Sequence, residues 1–127
     1  VINGTHVIMY ADDAEQARAF LRDVLKWPHI DVHDGWLIFR TPPAELGVHP
    51  ADPSGGPGQS APGGHHEIFL MCDDLEATMA DLTARGVEFT TGVEQAGFGR
   101  LTRFRIPGAG EMGLYQPRHP TAYDLPV

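Results

Sequence analysis

The sequence predicts an α+β fold made of two tandem βαβββ modules. Three observations carry this: an internal repeat, the same element order in both copies, and a Gly/Pro-rich stretch between them. His6–Asp13 (HVIMYADD) lies over Glu67–Asp74 (EIFLMCDD), and the same offset pairs Glu15 with Glu76, Ala19 with Ala80 and Leu21 with Leu82. After an insertion in the second copy, Glu45–His49 lies over Glu111–Tyr115. Between the copies, Pro50–Gly64 (PADPSGGPGQSAPGG) has no large apolar residue, so burial cannot offset its ordering, and it reads as an exposed linker. The expected division is module one at 1–49, linker at 50–64 and module two at 65–127, together one domain.

Each module opens on a short apolar run, VIMY or IFLM, that reads as a strand and ends at Asp-Asp, a pair suited to capping a helix. In the first helix, roughly 14–25, Ala17, Phe20, Leu21, Val24 and Leu25 recur at three- and four-residue spacing, and Pro28 bars extension. The second helix, roughly 75–85, places Leu75, Met79 and Leu82 inward and stops at Gly86, the residue type favoured just past a helix end. Further strands are expected at His29–Val32, Trp36–Arg40 and Glu45–His49, with Asp34-Gly35 as a hairpin turn. The second copy offers Val87–Thr91, Arg100–Ile106 and Glu111–Tyr115. The tail Gln116–Val127, with Pro117, Pro120 and Pro126, reads as an extended arm in which Tyr123 and Leu125 offer something to bury.

Composition narrows the function. A chain of 127 residues suffices for one domain with a real core. Its Lys+Arg 9 against Asp+Glu 17 is the wrong balance for neutralising phosphates, so no nucleic-acid partner is expected. No apolar run is long enough for a membrane span and no signal peptide opens the chain. The single Cys72 cannot form an internal disulfide, which fits a reducing cytoplasm, and reads as a small apolar filler. No GxGxxG, P-loop or GxSxG motif occurs, and Ser54 and Ser60 lie in the linker, where nothing holds an oxyanion hole.

The segments THVIMYADD, HHEIFLMCDDLEATMADLTARGVEF and RIPGAGEMGLYQP carry a resemblance. The chain resembles the vicinal oxygen chelate superfamily, which includes glyoxalases, bleomycin-resistance proteins and extradiol dioxygenases. The resemblance spans nearly the whole chain. It implies a half-open mixed barrel around one pocket, commonly completed by a second subunit, and hence a homodimer.

The resemblance also implies metal positions: His6 on the first opening strand and Glu67 at the matching place in the second. The acids usual on the closing strands fall on Gly47 and Gly113 here. A two-residue slip brings Glu45 and Glu111 to the same faces, roughly 7 Å along the strand at about 3.3 Å per residue. Two readings stay open. In one, His6, Glu67, Glu111 and either Glu45 or His49 hold Fe, Mn, Ni or Zn in a lyase, isomerase or extradiol-type dioxygenase. In the other, the glycines empty the pocket floor for a bulky ligand without metal, as in a sequestering antibiotic-resistance protein. A weaker third takes Glu67 and His6 as a catalytic proton-transfer pair. Strand parity and composition nominate Tyr10, Trp36, His49, Phe69, Met71, Phe98 and Tyr115 as ligand-binding residues, a set suited to a planar, mostly apolar small molecule. His29, His33, His65 and His119 are expected in solvent.

Overall fold

The computed structural model describes residues 3–49 and 66–126. The predicted linker, with His65, Ser54 and Ser60, lies outside the described residues. The chain forms two compact units, 3–39 with 106–110, and 40–49 with 66–105 and 111–126. Both helices, a two-stranded sheet and a four-stranded sheet make the fold mixed α+β.

The first unit contains α1 (Ala14–Asp23), β1 (His29–Asp31) and β2 (Leu37–Phe39). Asp13, the second residue of the first Asp-Asp pair, caps α1: its Oδ1 accepts from the Gln16 amide at 3.0 Å. Ala17, Phe20 and Leu21 are the buried stripe of α1, as their spacing predicted, while Val24 and Leu25 are half-buried. Asp34 and Gly35 both adopt positive φ, 43° and 86°, as a tight hairpin turn between antiparallel β1 and β2 demands.

Two predicted strands are absent. His6–Tyr10 and Glu45–His49 have strand patterning but are coil. A strand exists only with a hydrogen-bonded neighbour, and neither segment has one among the described residues. Their apolar side chains stay in solvent: Tyr10 is 89% exposed, Leu46 86% and Val48 89%.

The second unit contains β3 (Phe69–Met71), α2 (Leu75–Ala84), β4 (Glu94–Ala96), β5 (Gly99–Ile106) up to Arg105, and β6 (Gly110–Pro117) from Glu111. The strand order is β3-β6-β5-β4, with β3 parallel to β6 and β4 antiparallel to β5. Val87–Thr91 is reduced to one bridge, Phe89 to Phe104, and β4 is a strand the sequence reading missed. Asp74 caps α2 through the Ala77 amide at 3.0 Å, and Gly86, at φ 90°, closes it.

Alternation along β5 and β6 sorts the sheet into two faces. The Leu75 amide donates to Gln116 Oε1 at 2.8 Å, and Arg100 pairs with Glu76, so Gln116 and Arg100 mark the face under α2. Thr102 and Phe104 share parity with Arg100, and Met112 and Leu114 share it with Gln116. All four are buried, as are Leu75 and Leu82 of the helix. This is the core of the second unit. The Thr102 hydroxyl donates to the Thr91 carbonyl at 3.0 Å, which satisfies the one buried polar side chain of the described core.

Candidate functional site: an aromatic face beside an arginine

The face of the sheet turned away from α2 carries Phe69 and Met71 of β3, Arg103 of β5, and Gly113 and Tyr115 of β6. Register pairs Phe69 with Gly113 and Met71 with Tyr115. Gly113 has no side chain, and the Phe69 ring fills the vacated space: a Cβ built there would stand 2.7 Å from Phe69 Cγ and closer still to Cδ1 and Cε1.

From Phe69 the rings continue in edge-to-face contacts. Phe69 meets Tyr115 at 6.3 Å between centroids, Tyr115 meets Phe98 at 5.8 Å, and Phe98 meets His49 at 5.6 Å. His119 adds a fifth ring, 5.8 Å from Tyr115. Phe69, Phe98 and Tyr115 are half-buried and His49 is exposed, so the cluster keeps ring surface in solvent. The Tyr115 hydroxyl donates to the Phe98 carbonyl at 2.8 Å, which holds the β4–β5 turn against β6. Gly99 permits that approach, since a Cβ there would lie 2.5 Å from Tyr115 Cε1.

Burial raises the Tyr115 hydroxyl above the usual tyrosine range, and the nearby Glu45 carboxylate adds to the shift. The folded state therefore holds this proton more tightly than the unfolded chain does. The resulting stability is fully present below the unfolded pKa and is lost as pH rises through the folded one. A tyrosinate difference spectrum should contain a late component that disappears in Tyr115→Phe. No difference between the two proteins would refute the placement of this ring.

Glu45 organises the tail: Oε1 accepts from the Ala122 amide at 2.8 Å, and Oε2 lies 3.7 Å from His119 Nε2. His119 is exposed, as expected, with its ring toward Glu45 and Tyr115. Tyr123 and Leu125 remain exposed. Burial also pushes the Cys72 thiol up, in keeping with an inert filler.

The structure brings four nominated residues together, His49, Phe69, Phe98 and Tyr115, with Met71 beside Tyr115 in register. Tyr10 and Trp36 belong to the first unit, where Arg18 stands 4.5 Å over the Trp36 ring. Arg103 went unnoticed in the sequence. Its Nη1 lies 3.2 Å from Glu67 Oε1, and its guanidinium carbon stands 5.1 Å over the Phe69 ring. The available signal was a pair of arginines, Arg103 and Arg105, at one parity of the strand LTRFRI.

The nominated metal ligands belong to both units. His6 is exposed coil of the first unit and Glu111 is exposed on β6. Glu67 faces a guanidinium, and Glu45 holds the tail. The Arg103 guanidinium beside Glu67 would oppose a cation held at that carboxylate. Among the described residues, no group of three or more His, Cys, Asp or Glu stands ready to hold a metal. No helix of the described residues is long and apolar enough to cross a membrane.

The model of the Glyoxalase/Bleomycin resistance protein/Dioxygenase superfamily matches residues 5–112. Three solved structures share the fold. A superfamily member from Sphaerobacter thermophilus is 26% identical, with TM-score 0.59, over 91% of this chain and 98% of that one. Lactoylglutathione lyase from Agrobacterium tumefaciens is 18% identical, with TM-score 0.55, over 90% and 96%. TnmS3, an antibiotic-binding protein from Streptomyces, is 23% identical, with TM-score 0.51, over 92% and 99%. No curated protein matches the sequence.

Proposed function

Because the chain belongs to the Glyoxalase/Bleomycin resistance protein/Dioxygenase superfamily, we propose that it binds a planar aromatic small molecule without metal, on the aromatic face of the second unit. One observation carries the reading: the rings of Phe69, Tyr115, Phe98 and His49 form a continuous cluster that is left partly in solvent instead of being buried under α2. Clustered ring surface left partly in solvent offers a flat apolar molecule a place to dock. Edge-to-face rings offer a flat partner both stacking faces and positive edges. An antibiotic-binding protein of the same fold is the precedent for sequestration as the biological role.

The test is a titration of the 15N-labelled protein with 2-naphthamide, a neutral planar probe. Amide shifts should concentrate at Phe69, Phe98, Gly113 and Tyr115. Shifts confined to other residues, or none at the solubility limit, would sink the reading.

The same reading takes the protein as a homodimer in which the strand-patterned but unpaired segments 6–10 and 45–49 gain neighbours and complete both βαβββ modules as a half-open barrel. The exposed Val7, Ile8, Tyr10, Leu46 and Val48 support it, since apolar strand-like surface invites pairing. Light scattering should give twice the 13.8 kDa chain mass. A monomer at high micromolar concentration would contradict the dimer and leave the aromatic face to its own test.

A further inference from the structure

We propose that Arg103 selects the ligand, so that the site prefers planar aromatic molecules bearing a carboxylate or similar anionic oxygen over their neutral counterparts. This rests on the aromatic-face reading and deepens it by assigning the ligand's charge.

Phe69 on β3 and Arg103 on β5 are separated by β6, and the residue of β6 paired with Phe69 is Gly113. A side chain at that place would stand between them. Its absence lets the ring lie across β6 and meet the guanidinium at 5.1 Å. The guanidinium thus stands over an aromatic ring, an attraction that strengthens when the pair is partly desolvated. Its hydrogen bonding is left to the edge of the plane.

That edge has five N–H donors in a fixed fork. Glu67 approaches one nitrogen through one oxygen at 3.2 Å, and a single oxygen cannot occupy the fork. The Arg103 side chain is 25% exposed, so part of it meets solvent beside the aromatic cluster. A ligand whose ring rests on Phe69 and Tyr115 would carry a carboxylate to that edge, where a guanidinium can bind both oxygens.

The surroundings sharpen the assignment. The chain has net charge −8, so its overall field disfavours anions and an anionic ligand needs a local cation. The neighbouring arginines of β5 are engaged elsewhere, Arg100 with Glu76 and Arg105 with Glu88 at 2.8 Å. Arg103 is the arginine of that strand whose guanidinium is placed over the aromatic cluster. Glu67 plays two parts: it orients the fork, and its charge competes with that of the ligand.

The test compares 2-naphthoate with 2-naphthamide, which share a ring system and differ in charge, by calorimetry on the wild-type chain, Arg103→Gln and Glu67→Gln. Wild type should bind the naphthoate at least tenfold tighter. Arg103→Gln should abolish that preference, bringing the two affinities within threefold of each other. Glu67→Gln, which removes the competing charge, should raise naphthoate affinity severalfold. Equal wild-type affinities, or a preference that survives Arg103→Gln, would overturn the role of Arg103 and leave the aromatic-face reading standing. Failure of both probes to bind would defeat the aromatic-face reading and this proposal with it. If Arg103→Gln loses its native spectrum, Glu67→Gln decides: a rise supports the proposal and no change overturns it.

Discussion

Replacing Gly113 with alanine is expected to lower stability by about 1–3 kcal/mol, the usual cost of forcing extra volume into a packed site. For a domain of this size that is a fall in Tm of roughly 3–15 °C. The new methyl group would occupy the ground of the Phe69 ring, which must then swing off β6. It would lose both its contact with the Arg103 guanidinium and its edge contact with Tyr115. Ligand binding should fail along with stability, since one displaced ring dismantles the cluster and the anchor together. The double variant Gly113→Ala, Phe69→Leu should recover much of the stability but not the binding. A Gly113→Ala protein as stable as wild type would mean that the ring does not lie across the glycine. Elsewhere in a strand the same change would be neutral or mildly favourable, because alanine has less chain entropy to lose.

The helices and their ends were legible in the sequence because their signals are local. Asp13 and Asp74 cap the helices from positions that the two Asp-Asp pairs announce, and Asp34-Gly35 turns the hairpin as its residue types require. The opening strands were not legible in the same way. VIMY has the right pattern, but a strand is a relation between two segments, and the described residues provide no partner for it. β4 was missed for the opposite reason: Glu-Gln-Ala has no strand propensity of its own and is recruited by the edge of β5.

The site divides along the same line. Tyr115, Phe69 and His49 could be nominated by their inward parity and Phe98 by its glycine-flanked loop, because such residues announce themselves one at a time. The meeting of Arg103 with Phe69 could not, because it depends on three strands lying in the order β3-β6-β5 with a glycine in the middle one. Gly113 drew notice as a missing acid, but its physical meaning is the ring that takes the place of its side chain.

Tyr115→Ala is expected to weaken 2-naphthamide binding about 10- to 100-fold, or about 1.4–2.7 kcal/mol, which is what an interface loses with a central aromatic ring. Tyr115 touches three other rings of the cluster, so its removal interrupts the chain at its middle. Tyr115→Phe keeps the ring and loses only the hydrogen bond to the Phe98 carbonyl, which also accepts from the Arg118 amide at 2.8 Å. Its affinity should change less than threefold. Equal losses in the two variants would show that the hydroxyl, not the ring, carries the interaction. Full binding by Tyr115→Ala would remove Tyr115 from the site.

On the proposed function, the aromatic face of the second unit is a ligand surface. A crystal structure of the protein grown with 2-naphthamide at saturation tests it most directly. The probe's rings should lie in contact with Phe69, Tyr115 and Phe98, on the face of the sheet away from α2. A bound probe seated elsewhere, with these three rings bare, would contradict it.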